Sequence, residues 1–176
     1  ERQHGIGPGG DVSARDARTV TTNHLEDRYH RKLNYLRVSV TDRCNLGCIY
    51  CVPREALKHL AHTDILRYEE ILRVVRIGAS LGINKIRITG GEPLVRKGLM
   101  AFLQQLQGIA GIREVTLTTN AVLVGPYLEA LGDAGIRRLN ISLDTLRRER
   151  FARLTGQDRF DQVWENIQRA LRLGFM

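Results

Sequence analysis

Three cysteines lie within eight residues of one another, and the 176-residue chain has no other. Cys44, Cys48 and Cys51 have the spacing C-x3-C-x2-C. An odd number of cysteines so close together is a poor basis for disulfides, whereas soft thiolates bind zinc or iron–sulfur clusters. A structural zinc site normally has four ligands. Three thiolates can instead hold three irons of a 4Fe-4S cluster and leave the fourth iron open to a small molecule.

Two alternatives to a cluster stay open for the cysteines. They could be three buried free thiols, or they could form a zinc site completed by His59 or His62. We expect both histidines to be solvated loop residues, because they lie at an awkward distance in a polar stretch. Closely spaced thiols of this kind are typical of a reducing compartment, which predicts a cytoplasmic location.

A second candidate site is the string Gly90-Gly91-Glu92-Pro93, which follows a predicted strand. Adjacent glycines allow a backbone to approach a ligand closely. The Glu92 carboxylate could pair with an ammonium group. On its own the string could equally be a glycine-rich turn before a helix. Its combination with the cysteines favours a binding role.

Polar side chains also end two further predicted strands, in the strings Thr118-Thr119-Asn120 and Ser142-Leu143-Asp144. Hydroxyl and amide groups there could bind ribose or phosphate oxygens, although turn and cap chemistry would explain either string alone. The carboxyl ends of parallel strands meet at one rim, where ligands bind in α/β folds. Position therefore favours a shared site.

Basic residues lie inside two predicted strands. Arg37 and Arg87 would need an anionic partner if they point into a barrel, because a buried unpaired charge is costly. Arginine suits phosphate, which it can bind through two nitrogens. Lys85 alternates with Arg87 and could share its face. Exposure on the outside, or a structural ion pair, is the competing interpretation.

A regular alternation of strands and helices has to position these residues. The predicted strands are residues 36–40, 85–89, 115–118 and 139–143, and the predicted helices are 68–81, 99–106, 127–134 and 160–173. This alternation predicts an α/β fold with a parallel sheet and right-handed crossovers. Four units are too few for a closed barrel. We therefore expect a partial (β/α) barrel, an incomplete version of the TIM type.

The two ends of the chain differ from this pattern. Residues 1–33 are predicted to be a flexible tail, since glycines break any periodicity near the start and the following stretch is polar and basic. Residues 34–176 form the predicted core domain. The pattern stops after a helix, where a fifth strand would be expected, so we expect the domain to be truncated at Met176.

Composition narrows the class of protein. With 43% hydrophobic and 26% charged residues, the chain resembles a globular domain. No apolar run approaches the ~20 residues that span a bilayer, so we expect no membrane partner. The net charge of +8 favours anionic partners, although a solvated basic face would also explain it. Aromatic residues are not interleaved with the basic ones, so we expect no nucleic-acid partner.

The motifs together resemble a known family. The cysteine spacing, with Tyr50 before the last cysteine, resembles the radical S-adenosylmethionine (SAM) superfamily. Longer strings resemble one family within it, the molybdenum cofactor biosynthesis protein A family of GTP 3′,8-cyclases. These strings begin at Leu36, Lys85, Leu117 and Asn140, and they end at Asn45, Leu94, Asn120 and Asp144. The similarity runs from about Leu36 to the end of the chain.

The resemblance implies roles for individual residues. Cys44, Cys48 and Cys51 would bind a 4Fe-4S cluster. SAM would be contacted by Tyr50, Gly91, Glu92 and Ser142, and GTP by Arg37, Arg87 and Thr118, with Lys85 as a further candidate. The implied reaction is a lyase reaction of molybdopterin synthesis, which cleaves SAM to a 5′-deoxyadenosyl radical. It converts GTP to (8S)-3′,8-cyclo-7,8-dihydroguanosine 5′-triphosphate.

The family also implies parts and partners outside this sequence. A second 4Fe-4S cluster is expected in the complete protein only, and without it the chain alone is expected to fail in GTP turnover. The implied partners are an electron donor, a downstream pterin synthase and a second copy in a homodimer. Two alternatives stay open: another radical SAM enzyme with a different substrate, and a module that carries an iron–sulfur cluster or zinc without catalysis.

Overall fold

A computed structural model of the chain describes residues 24–51 and 60–176. Strands and helices alternate along these residues, beginning with a strand. In chain order they are β1 (Tyr35–Ser39), α1 (Tyr68–Ser80), β2 (Lys85–Thr89), α2 (Leu99–Gln107), β3 (Glu114–Thr119), α3 (Leu128–Asp133), β4 (Leu139–Ile141), α4 (Arg148–Thr155) and α5 (Phe160–Arg172). Short 3₁₀ helices lie at His62–Asp64, Pro93–Val95 and Gly125–Tyr127.

The strands form one parallel sheet in the order β1-β2-β3-β4. Each strand therefore lies next to its neighbour in sequence, as a barrel wound in one direction requires. The sheet is open, and the four units cover part of a barrel only. The predicted α/β fold and partial barrel are confirmed.

Side-chain alternation gives the sheet two different faces. On β2, Ile86 and Ile88 are buried in the hydrophobic core, as are Val115 and Leu117 on β3. Helices α1 and α2 complete this core with Val75, Leu103 and Leu106, among others. The opposite face carries polar and charged side chains. The core thus fixes which residues remain available for a site on the other side.

The first helix shows how local sequence sets the boundaries. The backbone N–H of Arg67 donates to the Glu70 carboxylate at 2.7 Å, which satisfies a donor at the helix start. Ile71, Leu72 and Val75 are buried against the sheet. The chain reverses at Gly82, whose φ of +97° glycine adopts without strain.

Two elements differ from the sequence prediction by more than one residue at an end. Strand β4 ends at Ile141, so Ser142 lies just beyond it. Helix α4 was not predicted from the sequence: it is rich in arginine, and Phe151 and Thr155 are the residues that it buries. So few buried positions in a charged segment give a weak helical periodicity.

The two ends of the described chain are both hydrogen-bonded to the rest of the domain. Residues 24–33 make a tight turn in which Glu26 and Lys32 pair, and the N–H of Leu25 donates to the Leu81 carbonyl at 3.1 Å. Residues 1–23 lie outside the described residues, so the predicted tail stays a prediction. Met176 lies beside β4, where its carbonyl accepts from the N–H of Leu139 at 2.9 Å. No helix in the described part of the chain is both long and apolar enough for a bilayer.

Candidate functional site

The cysteine loop begins directly after β1 and is held against the glycine string after β2. The N–H of Gly91 donates to the Thr41 carbonyl at 2.7 Å, and the N–H of Glu92 donates to the Arg43 carbonyl at 2.8 Å. The two segments therefore extend the pairing of β1 with β2 beyond the strands. This contact places the start of the cysteine loop, at Cys44, next to the glycine string.

The glycine at position 91 is required by this close approach. A Cβ atom added there would lie 2.3 Å from the Arg43 carbonyl oxygen. At Gly90, an added Cβ would lie 2.6 Å from the Thr41 carbonyl oxygen. Both contacts are with backbone, which cannot move aside as a flexible side chain can. The two glycines are thus explained by packing of the cysteine loop, in addition to any ligand.

Helix α4 holds the other side of the cysteine loop. The N–H groups of Gly47 and Ile49 donate to the carbonyls of Thr155 and Leu154, both at 2.9 Å. The last carbonyls of a helix have no partner within the helix, so they are free to accept such bonds. Just after the helix, the Gln157 amide donates to the Asn45 carbonyl at 2.6 Å. The loop is therefore fixed by two backbone carbonyls and one side-chain amide from a distant segment.

The three cysteines are free thiols on this loop. Cys44 and Cys51 are exposed and Cys48 is half-buried. The Cys44 sulfur accepts from the Leu46 N–H at 3.4 Å and from the Asn120 side-chain amide at 3.7 Å. Partial burial raises the pKa of the Cys44 thiol, while these two donors act in the opposite direction. Both donors would stabilise a thiolate.

The donor set fits an iron–sulfur cluster by its chemistry. All three sulfurs are on one partly exposed loop, and thiolates are the usual ligands of such clusters. Within residues 24–51 and 60–176, no three His, Cys, Asp or Glu side chains are grouped tightly enough for one metal ion. A cubane needs a wider spacing, because each thiolate binds a different iron. His59 lies outside the described residues.

Glu92 is buried, and its carboxylate accepts three hydrogen bonds from the protein. Its side chain is 1% exposed, and its carboxylate accepts from the Leu94 N–H at 3.2 Å, the Thr119 hydroxyl at 2.9 Å and the Asn120 N–H at 2.8 Å. Burial raises the pKa of this carboxyl, and the three donors partly offset that effect. Its oxygens tie the glycine string to the end of β3. The predicted contact between Glu92 and SAM stays a prediction.

Tyr50 and Ser142 lie at the same end of the sheet. The Tyr50 hydroxyl donates to the Asp144 carboxylate, which raises the pKa of the phenol well above its ordinary value. The N–H of Ser142 donates to the Thr119 carbonyl at 3.0 Å, which leaves its exposed side chain at the rim. The structure thus places the predicted SAM contacts around one rim, together with the cysteines.

The predicted GTP contacts lie on the polar face of the sheet. Arg37 of β1 is in register with Arg87 of β2, and Arg87 with Thr116 of β3, so these residues share one face. Thr118, two residues further along β3, is on that face too. An Arg37 nitrogen lies 3.4 Å from the Thr89 hydroxyl oxygen. Arg87 lies 5.6 Å from the centre of the Tyr35 ring, and its buried Nε has no partner among the described residues.

Lys85 lies at the opposite end of this face from the cysteines. Its ammonium nitrogen is 3.8 Å from the Glu114 carboxylate, which also pairs with Arg138 at 2.9 Å. A cavity of about 340 Å³ opens here and is lined by Arg87 and Thr116 as well. The described part of this face therefore carries four cations, those of Arg37, Arg87, Lys85 and Arg138, together with the Glu114 carboxylate.

Several residues of the site carried no assigned role at the sequence level. Asn120 and Asp144 belong to the polar strings that follow β3 and β4. Their position directly after a strand was the only sequence feature that pointed to the site. Gln157 and the carbonyls of Leu154 and Thr155 had no such signal, because backbone acceptors at a helix end leave no trace in residue type. Their contribution follows only from the packing of α4.

Comparison with known proteins agrees with this geometry. The Radical SAM superfamily model matches residues 38–176. A protein named GTP 3′,8-cyclase from Alkaliphilus metalliredigens is 51% identical over 85% of this chain, which corresponds to 47% of that protein. Its namesake from Pelotomaculum thermopropionicum is 52% identical over 85% of this chain and 46% of its own length. The chain thus spans about half the length of the curated relatives that it matches.

Solved structures share the fold. Streptococcus suis SuiB bound to S-adenosylmethionine superimposes with a TM-score of 0.65, at 22% identity over 81% of this chain and 30% of SuiB. The protein anSMEcpe with bound AdoMet gives a TM-score of 0.62, at 22% identity over 79% of this chain and 40% of its own. The family match, the cysteine loop and the shared architecture lead to one conclusion: this chain belongs to the radical SAM superfamily.

Proposed function

We propose that this chain is the N-terminal catalytic portion of a GTP 3′,8-cyclase, a radical SAM lyase of molybdenum cofactor biosynthesis. The observation that carries the proposal is the two-part site: a three-cysteine loop at the rim, and a cationic face below it in the partial barrel. A polyanionic nucleotide suits such a face, because guanidinium groups bind phosphate through two parallel hydrogen bonds. The names of relatives near 50% identity support the substrate.

The family supports SAM and a 4Fe-4S cluster as the cofactors of this chain. When bound, the cluster supplies an electron for reductive cleavage of SAM to methionine and a 5′-deoxyadenosyl radical. Cys44, Cys48 and Cys51 would hold three irons as thiolates. The two N–H donors on Cys44 favour the thiolate form there.

The rim residues would bind SAM beside the cysteine loop. Tyr50, Gly91 and Ser142 lie there, and an incoming ligand reaches Tyr50 and Ser142 because both side chains are exposed. The buried Glu92 would act on SAM mainly by holding the glycine string in place. Its carboxylate is already occupied by three protein donors.

The cationic face of the sheet would orient GTP. Arg37 and Arg87 would bind phosphate oxygens, and Thr118 would hydrogen-bond the nucleotide nearer the rim. Lys85 could join them once a phosphate competes with the Glu114 carboxylate for its ammonium group. The inner face of a barrel also keeps bulk water from the reacting carbon of the ribose. Positioning and exclusion of water are thus the tasks of this chain.

Further features of the complete protein belong to the same proposal. They are a second 4Fe-4S cluster beyond this chain, an electron donor, a pterin synthase that takes up the product, a homodimer and a cytoplasmic location. Turnover of GTP would depend on that second cluster. The family resemblance supports these features.

The proposal is tested by anaerobic reconstitution of the chain with iron and sulfide. We expect about four iron atoms per chain, formation of 5′-deoxyadenosine from SAM under reducing conditions, and GTP binding by calorimetry. SAM cleavage without GTP binding would favour a radical SAM enzyme with another substrate. A chain that takes up zinc in place of the cluster would contradict the enzyme assignment.

A further inference from the structure

The side chain of Asn120 bridges the end of β3 and the cysteine loop. Its amide nitrogen lies 2.8 Å from the Asn45 side-chain oxygen and 3.7 Å from the Cys44 sulfur. An amide nitrogen carries two hydrogens, so it can serve both acceptors at once. Asn120 thus contacts the first of the three cysteines from a different strand.

The orientation of this amide is fixed by a third contact. The Asn120 side-chain oxygen accepts a hydrogen bond from the N–H of Val122 at 3.0 Å. Because a backbone N–H can only donate, the oxygen must face Val122 and the nitrogen must face the cysteine loop. In a flipped amide, the Asn120 NH₂ group would face the Val122 N–H, and neither group can accept a hydrogen bond.

The backbone of Asn120 is equally constrained. Its N–H donates to the Glu92 carboxylate at 2.8 Å, and the neighbouring Thr119 hydroxyl donates to the same carboxylate at 2.9 Å. Glu92 is buried, so this anchor is shielded from water. These bonds therefore fix the position of the end of β3 relative to Cys44.

We infer that Asn120 is a positioning residue that donates a hydrogen bond to the Cys44 thiolate of the bound cluster and thereby makes its reduction potential less negative. The inference rests on the cluster proposed above. Reduction adds negative charge that spreads onto the thiolates, so a donor aimed at a thiolate sulfur stabilises the reduced cluster more than the oxidised one. Hydrogen bonds to the sulfurs are one of the established controls of iron–sulfur potentials.

The test is a redox titration of the reconstituted chain, followed by the electron paramagnetic resonance signal of the reduced cluster. Asn120→Asp keeps the oxygen that accepts from Val122 and removes the amide donor. Asn120→Ala removes the donor without adding charge. Gln157→Ala is the matched control, because it deletes an amide that also bonds the cysteine loop but donates to the Asn45 carbonyl and not to a sulfur.

We expect both Asn120 variants to retain the iron content of the unmodified chain and to have more negative potentials, with the larger shift in Asn120→Asp. At a fixed ambient potential the ratio of reduced to oxidised cluster should fall about threefold or more, since the lost bond is to a charged acceptor. Gln157→Ala should leave that ratio unchanged.

Unchanged potentials in both Asn120 variants with full iron content would overturn the inference while leaving the proposed function intact. An equal shift in Gln157→Ala would also overturn it, because loop position would then be the cause. Failure of the unmodified chain to assemble any cluster would overturn the proposed function itself.

Discussion

The Tyr50 hydroxyl donates a hydrogen bond to the Asp144 carboxylate across 94 residues of sequence. Tyr50 precedes the last cysteine, and Asp144 follows β4 two residues after Ser142. The bond therefore joins the cysteine loop to the far strand of the sheet. It connects the two sides of the rim between which we place SAM.

This bond should be measurable as a coupling energy. In a double-mutant cycle with Tyr50→Phe and Asp144→Ala, we expect a coupling of about 0.5–1.5 kcal/mol in the free energy of unfolding, typical of a hydrogen bond to a charged acceptor that is partly exposed. Urea denaturation measures it. Tyr127→Phe, at a hydroxyl without a described partner, is the control. Additive effects of the two changes would show that the bond contributes nothing.

Gly91→Ala should disrupt the cysteine loop. The added Cβ would lie 2.3 Å from the Arg43 carbonyl oxygen, so the loop or the glycine string has to move. We expect a loss of about 1–3 kcal/mol in the free energy of unfolding, as for other overpacked sites, together with weaker SAM binding. Calorimetry and urea denaturation would detect both effects.

Gly108→Ala is the matched control for that change. Gly108 caps α2 at a φ of −76°, and an added Cβ would be 3.5 Å from its nearest neighbour, the Gln105 carbonyl oxygen. The substitution should change the free energy of unfolding by less than about 1 kcal/mol. If the two variants were equally stable, close packing at Gly91 would not be the reason for glycine there.

Glu92→Gln should be destabilising to an extent that depends on pH. In the variant, an NH₂ group faces one of the three protein donors and leaves it without an acceptor. We expect this to lower the free energy of unfolding by about 1–3 kcal/mol. Burial raises the pKa of Glu92 above its ordinary value of 4.5, so above that value the native chain holds a proton that the unfolded chain releases. Its contribution to stability is therefore full below pH 4.5 and falls as the pH rises through the raised pKa.

The difference in stability between the unmodified chain and Glu92→Gln should accordingly shrink as the pH rises. Urea denaturation at a series of pH values upward from 4.5, the ordinary pKa of this carboxyl group, measures the trend. A gap that widens with rising pH would mean that Glu92 is stabilised as a carboxylate.

In the complete protein, Arg87→Ala should weaken GTP binding more than SAM binding. Arg87 is on the cationic face, away from the rim, and its Nε lacks a partner among the described residues. We expect the Kd for GTP to rise about tenfold or more and the Kd for SAM to change little. Arg73→Ala, on the exposed outer side of α1, should affect neither. Equal losses for both ligands would argue against a phosphate contact.

The sheet and its register could be predicted to a large extent from the sequence. Strand β2 matched its predicted range, because Ile86 and Ile88 alternate with charged residues. The same alternation correctly grouped Lys85 with Arg87. Helix α5 was also predicted almost in full, since Val163, Ile167 and Ala170 recur at helical spacing.

Contacts between distant segments could not be predicted in this way. Helix α4 contributes carbonyl oxygens to the cysteine loop, and any residue type offers those. Glu92 accepts hydrogen bonds from the Leu94 N–H, the Thr119 hydroxyl and the Asn120 N–H, while its predicted contact with SAM stays a prediction. Such partners depend on how β2 and β3 end in space, and sequence spacing does not contain that information.

The central claim is that Cys44, Cys48 and Cys51 hold a 4Fe-4S cluster whose fourth iron is open to SAM. Electron paramagnetic resonance of the reduced, reconstituted chain with and without SAM tests it most directly. We predict a cluster signal that changes when SAM is added, and loss of 5′-deoxyadenosine formation in a folded Cys48→Ala variant. A signal that SAM leaves unaltered, or 5′-deoxyadenosine formation that persists in Cys48→Ala, would contradict the account.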